Sequence, residues 1–183
     1  MKKVRLVSGH PNMKKSNANL KIVKELENLE NVSVVHLISK YPDYEINAEE
    51  EIAQLIHSDV VVLKFPFHCY GVPAILKKWI DSISSLLVYG KYKDALNGKT
   101  LLISTTTGGP AESYRTEGYN KFTMKQLLLP LLKLGDSLGM IVLDPIVTHK
   151  AVGSKESIEA KAKQHALTLI KTIENTYERV LER

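Results

Sequence analysis

The sequence predicts a three-layer α/β sandwich: a five-stranded parallel sheet of order 2-1-3-4-5 with helices on both faces. Three observations predict it. Short β-branched runs alternate strictly with helical patterns along the 183 residues, and such alternation builds a parallel sheet through right-handed crossovers. Residues 59–81, DVVVLKFPFHCYGVPAILKKWID, read as an apolar run of the kind that forms a strand buried on both faces, followed by a helix that starts at Pro73. No repeat, low-complexity tract or linker divides the chain, so one domain over 1–183 is expected.

The strands are expected at Lys3–Ser8, Val32–Leu37, Asp59–Phe65, Lys99–Thr105 and Met140–Asp144. The helix Asn17–Leu29 holds Leu20, Val23, Leu26 and Leu29 in register. Asn47–Ile56 opens with an Asn cap, carries Glu49 to Glu51 where the helix dipole favours acid, and turns Ile52 and Ile56 inward. Pro73–Leu87 follows the third strand, and Phe122–Leu138 follows the fourth with Pro130 as a kink. Lys155–Leu181 sets Ile158, Ala162, Ala166, Leu169, Ile173, Tyr177 and Val180 along one stripe. The irregular stretch 108–121 is Gly-rich and polar, and connections that long inside a compact domain are more often functional than not.

Composition narrows the classes of function. No apolar stretch approaches the ~20 residues of a membrane span. The N-terminal MKKVRLVSGHPN breaks at Gly9-His10-Pro11 after a few apolar residues, as a first strand does and a signal peptide does not, so a cytoplasmic location is expected. The single cysteine, Cys69, excludes an internal disulfide and a multi-cysteine zinc site, and no metal is expected. The net charge of +5 is spread over Lys14-Lys15, Lys77-Lys78, Lys91 to Lys93 and the last helix, with no recognition motif, so nucleic acid is not an expected partner. Some of these cations suit anionic ligands such as phosphates.

In a 2-1-3-4-5 sheet the carboxyl-end loops of strands one, three and four converge on one crevice, where open α/β sheets bind ligands. The first loop, Ser8 to Asn19, ends in Ser16, Asn17, Ala18 and Asn19 at a helix N-terminus, where free N–H groups and the dipole favour a phosphate. It is neither a GxxxxGK[ST] P-loop nor a GxGxxG loop. Ser16 reads equally well as a plain helix cap, and His10 as a ligand contact or a loop-packing histidine. The second loop, Pro66, Phe67, His68, Cys69 and Tyr70, offers flat surfaces for a flat ligand, with an aromatic plug as the alternative. No Cys–His–acid spacing supports Cys69 as a nucleophile. The third loop carries Thr106, Thr107, Gly108 and Gly109, whose glycines let the backbone approach a ligand closely. TTGG alone reads as a turn; its place beside the other two loops makes it informative.

These pieces together resemble the flavodoxin-like NAD(P)H:quinone oxidoreductases, the DT-diaphorase family. They are most similar to the small bacterial branch that includes general stress oxidoreductases and ancillary proteins of Kef-type potassium efflux. The resemblance rests on His10-Pro11, Ser16-Asn17-Ala18-Asn19, Tyr41-Pro42-Asp43, Phe65-Pro66 through Tyr70, the segment from Pro73 to Asp81, and Thr106-Thr107-Gly108-Gly109, in the family's order over about residues 4–145. It implies FMN (FAD in larger relatives), NADPH or NADH as co-substrate, a quinone or similar electrophile as acceptor, and a homodimer. It also implies that His10 and Ser16 to Asn19 hold the phosphate and ribityl chain, that Phe67 to Tyr70 line the isoalloxazine, and that Thr106 to Gly109 meet its pyrimidine side. Tyr114 matches a loop tyrosine beside the flavin. Where the family commonly has a histidine, Gly118-Tyr119-Asn120 places Asn120, which cannot become a cation, and slower turnover with quinones is the expected consequence. His68-Cys69 stands where relatives carry bulkier pairs such as Gln-Trp, which widens the expected pocket. Asn47 replaces an acid and reads as a cap.

The resemblance carries two alternatives: a regulatory subunit of a membrane potassium-efflux system, and a one-electron flavodoxin-type carrier, against which the basic charge argues. Trp79, the Leu86–Tyr92 segment and Leu96 are candidate dimer contacts, a buried structural role for Trp79 being the other reading.

Overall fold

The computed structural model describes the backbone of residues 1–181 and the side chains of residues 1–176. Its elements are β1 (Val4–Ser8), α1 (Ala18–Glu27), β2 (Val32–His36), α2 (Leu37–Lys40), α3 (Ala48–Ile56), β3 (Val60–Pro66), α4 (Ala74–Val88), β4 (Thr100–Thr106), α5 (Met124–Leu127), α6 (Leu129–Ser137), β5 (Ile141–Val142), β6 (Ile146–Thr148) and α7 (Lys155–Leu181). The sheet runs β2-β1-β3-β4-β5, with every strand pairing parallel. That is the order read from the sequence.

The far edge differs from expectation. One strand was predicted over Met140–Asp144, but two short strands lie in succession beside β4, pairing Thr100 with Ile141 and Ser104 with Ile146. The offset grows by one residue between them, and Pro145, which has no N–H for a ladder, sits at the break. β6 thereby carries the chain to the carboxyl end of the sheet. Two smaller differences have equally local causes. Leu37 opens the one-turn helix α2 instead of ending β2. Pro130 breaks the expected helix Phe122–Leu138 in two: α6 begins with Pro130 in its first turn, where its missing N–H costs nothing, while Leu128 O accepts from the N–H groups of Leu131 and Leu132.

Side chains alternate across each buried strand, so the sheet has two apolar faces. Val4, Leu6, Val60, Val62 and Leu102 pack under α1 and α7, against Ile22, Val23, Leu26, Ala162, Ala166, Leu169 and Ile173. Val7, Val61, Leu63, Phe65, Leu101 and Ile103 pack on the other face, against α3, α4 and α6. Tyr177 and Val180, predicted on the α7 stripe, have side chains outside the described residues.

A buried carboxylate ties the second face together. Glu51, fully buried, accepts from Lys40 Nζ at 2.6 Å and Tyr41 OH at 2.9 Å through Oε1, and from Trp79 Nε1 at 3.0 Å through Oε2. Arg5 adds a longer contact at 3.8 Å. Burial opposes ionisation of Glu51, but the bonds from Lys40, Trp79 and Tyr41 outweigh it and hold the carboxyl below its ordinary value. Trp79 therefore belongs to the interior, and so does Leu96; each is 2% exposed, too little to meet a partner subunit. Asn47 caps α3, its Oδ1 accepting from the N–H of Glu50 at 3.2 Å.

Candidate functional site

The strand ends that the topology brings together are stitched by backbone hydrogen bonds. Gly9 N–H donates to Lys64 O at 2.9 Å, Phe67 N–H to Thr106 O at 2.8 Å, and Thr107 N–H to Thr148 O at 2.9 Å. The three loops singled out in the sequence, and a fourth segment after β6, thus share one rim. A Cβ on Gly9 would lie 2.6 Å from Leu76, so only glycine lets the first loop cross α4 this closely.

In that loop Ser16 is buried and its Oγ accepts from Leu20 N–H at 3.3 Å, the capping role weighed for it above. Asn17 makes no side-chain cap. The N–H groups of Asn17, Ala18 and Asn19 donate to no acceptor among the described residues, which leaves donors aligned with a helix dipole. His10 Nδ1 accepts from Asn12 N–H at 3.0 Å, so the neutral ring carries its proton on Nε2. Burial, then the nearby charges of His68 and Lys64, push His10 down to about 4. At neutral pH it is an uncharged donor.

The aromatic turn is a two-residue hairpin. His68 and Gly71 exchange backbone hydrogen bonds at 3.0 and 2.9 Å, and Cys69 (φ 45°) and Tyr70 (φ 64°) both occupy left-handed backbone, as a type I′ turn requires. Neither is glycine, so the turn carries strain of about 1–3 kcal/mol per residue. His68, Cys69 and Tyr70 are exposed, while Phe67 is half-buried.

Across from the turn, Thr107 Oγ1 donates to Gly109 O at 2.8 Å and lies 3.1 Å from His149 Nδ1. Gly108 and Gly109 both avoid positive φ, so their roles are steric. A Cβ on Gly109 would touch the Tyr114 ring at 3.3 Å, whereas one on Gly108 would meet nothing within 4 Å. Tyr114 lies tilted over His149 (centroids 5.2 Å) and meets the edge of Phe67 (6.3 Å). Asn120 Oδ1 accepts from Tyr70 OH at 3.2 Å, and its N–H donates to Ser113 O at 2.9 Å. Gly118 holds this loop closed, because a Cβ there would overlap Glu112 O at 2.3 Å. The loop residues Tyr114 and Asn120 therefore stand beside the turn residues Phe67 and Tyr70.

Two contributors escaped the sequence reading. His149, whose ionisation burial suppresses against an opposing pull from Glu112, follows the unpredicted β6. Lys64 lies within the apolar run of β3 and is 1% exposed; its Nζ donates to Asn19 Oδ1, and Asn19 Nδ2 donates to Thr106 Oγ1 at 3.1 Å. A lysine inside an apolar strand was the available signal. Beside it, buried His165 bridges Ser104 Oγ (2.7 Å) and Thr148 Oγ1 (2.6 Å). Among the described residues, no group of His, Cys, Asp and Glu side chains could hold a metal ion.

Free N–H donors at one end, a flat aromatic turn in the middle and an open glycine shelf at the other match a ligand that is anionic at one end and planar at the other. FMN has that shape and charge. An apolar groove of about 530 Å³ adjoins the turn, lined by Tyr70, Val72, Ile80, Leu127, Leu131 and Leu134.

Known proteins share this architecture. The flavodoxin-like fold family matches residues 2–172. General stress protein 14 of Bacillus subtilis is 32% identical over 166 residues, covering 90% of this chain and 95% of the relative. The glutathione-regulated potassium-efflux system ancillary protein KefG of Cronobacter sakazakii is 34% identical over 150 residues, 81% of this chain and 82% of the relative. Among solved structures, general stress protein 14 of Treponema denticola in complex with FMN superposes with a TM-score of 0.84 at 22% identity, covering 92% of this chain and 98% of that one. An NADPH-quinone reductase of P. pentosaceus gives 0.78 at 26% identity, covering 91% and 96%.

Proposed function

The chain belongs to the flavodoxin-like NAD(P)H:quinone reductase family, in its branch of general stress and potassium-efflux ancillary proteins, and on that premise we propose that it binds FMN and reduces a quinone or similar flat electrophile at the expense of NADPH or NADH. Bound FMN supplies the hydride chemistry; the protein supplies placement and electrostatics. The N–H groups of Asn17, Ala18 and Asn19, with His10 Nε2–H and the Ser16 hydroxyl, hold the phosphate. Pro66 to Tyr70 cover the ring, and Gly108 and Gly109 meet its pyrimidine edge, where backbone donors stabilise added negative charge, while Thr106 and Thr107, buried and hydrogen-bonded to Asn19, Gly109 and Thr148, brace that shelf from beneath. Tyr114 packs against Phe67 and, through Gly109, walls the same edge. Asn120 orients Tyr70 at the mouth through the 3.2 Å hydrogen bond and carries no proton in either direction. Hydride delivery needs no general base.

The observation that carries this reading is the open space at Gly108 in line with the unpaired donors of the first loop. Adding FMN and riboflavin to the flavin-free protein tests it by quenching of flavin fluorescence. One FMN per chain, bound more tightly than riboflavin, is expected; protein that quenches neither contradicts the reading.

A homodimer is part of the proposal, supported by the apolar groove beside Tyr70 and by Leu129, which is 54% exposed on α6. So is a cytoplasmic location; no helix among the described residues is long and apolar enough to cross a membrane. The 34% identity to KefG favours a second reading, service as an ancillary subunit of a potassium-efflux protein. Turnover of NADPH with a quinone by the isolated chain supports the enzyme; FMN binding without turnover until an efflux protein is added supports the subunit.

A further inference from the structure

The strongest unexplained feature is a buried lysine. Lys64 shares one face of the sheet with Ser8 of β1 and Ser104 of β4, its register partners, under Asn19 of α1 and His165 of α7. Among the described residues no carboxylate pairs with it. The titratable groups its charge reaches are His10 of the first loop and His165, and both are held neutral: His10 at about 4, and His165 at about 3 by burial and then by Lys64 itself. An isolated buried ammonium is costly, and burial pushes Lys64 down to about 7. Asn19 links this lysine to the anion-binding rim. Its side chain bonds both Lys64 Nζ and Thr106, while its own N–H is one of the free donors of the first loop.

We propose that Lys64 is the internal counter-cation of the anionic ligand, so that binding of a phosphate group at the first loop draws a proton onto Lys64 and makes ligand affinity depend on pH. This rests on the first loop's being the phosphate site. The proton comes from the acid form of the buffer, whose bond to hydrogen breaks as the Nζ–H bond forms on neutral lysine; no covalent bond of the ligand changes. The two charges then stabilise one another in a region of low dielectric, where an unanswered charge is expensive.

Isothermal titration in buffers of different ionisation enthalpy measures the protons taken up on binding. At about pH 8.5 the FMN phosphate is fully ionised and contributes none of its own. Wild-type protein is expected to take up about one proton per FMN and close to none per riboflavin. Lys64→Gln and Lys64→Met are expected to abolish the uptake and to flatten the rise of Kd between about pH 7.5 and 9. The Gln variant retains a polar partner for Asn19 in case the Met variant folds poorly. No uptake by wild type, uptake retained without the lysine, or equal uptake with riboflavin each overturn the proposal. If wild type binds neither flavin, the FMN reading fails on its own, and inorganic phosphate titrated in the same way decides this proposal: Lys64-dependent uptake supports it, and phosphate binding without such uptake, or no phosphate binding, overturns it.

Discussion

Gly108 separates ligand binding from folding more cleanly than any other position in the site. Its φ lies outside the left-handed region, a Cβ there meets nothing within 4 Å and the position is exposed, so Gly108→Leu is expected to leave the fold intact. The leucine side chain projects instead into the space assigned to the flavin ring. Displacing about 100 Å² of ring contact forfeits about 2.5 kcal/mol at ~25 cal/mol/Å², close to seventyfold in Kd. Gly118 is the control: a Cβ there lies 2.3 Å from Glu112 O, so Gly118→Ala strains the loop that carries Tyr114 and Asn120. Thermal unfolding without flavin and fluorescence titration with FMN are the two assays. Gly108→Leu should unfold within about 2 °C of wild type, because a surface change free of clashes stays within ~0.5 kcal/mol, and should bind FMN at least tenfold more weakly. Wild-type affinity in that variant would refute the placement of the ring, and a lowered Tm would refute the open shelf.

Other outcomes follow from the same structure. Glu51→Ala strips a buried carboxylate from Lys40, Tyr41 and Trp79 and should cost about 3–5 kcal/mol, lowering Tm by roughly 10 °C; a loss under about 1 kcal/mol in denaturant titrations would show that the cluster relaxes freely. Cys69→Asn suits the left-handed turn position better than cysteine and should raise stability by about 0.5–1 kcal/mol in urea unfolding of the flavin-free protein; an unchanged or lowered stability would show that cysteine carries no strain there. His165 is buried and neutral, and its folded pKa lies below the unfolded one, so its contribution is fully present above about pH 6.5 and is lost as pH falls toward about 3. His165→Gln should remove that share of acid destabilisation, on the order of 5 kcal/mol, from stability curves measured by urea unfolding at stepped pH; an unchanged acid limb would show that the ring is protonated in the folded state.

The strand order was legible because alternation of apolar runs and amphipathic helices permits few arrangements, and the order alone brings Gly9, Phe67 and Thr106 to one rim. The turn at Cys69 and Tyr70 was legible as a place but not as a shape, since neither residue advertises positive φ as glycine or asparagine does. β6 went unseen because Asp144-Pro145 reads as the end of a strand. Its loss hid His149, which packs on Tyr114. Trp79 read as readily for a surface as for a core, and only the buried Glu51, far away in sequence, decides for the core. Lys64 was hardest to place: a lysine near the end of a strand ordinarily extends its ammonium to water, and nothing local reveals that α1 and α7 close over it. Long-range packing, absent from local patterns, sets the electrostatics of this site.

The most direct test of the proposed function is anaerobic reduction of the FMN-reconstituted protein by NADPH and by NADH, followed by addition of a quinone. The reading predicts that at least one nicotinamide bleaches the absorbance near ~450 nm and that one equivalent of quinone restores it. Flavin that stays bound and oxidised in the presence of both nicotinamides would contradict it.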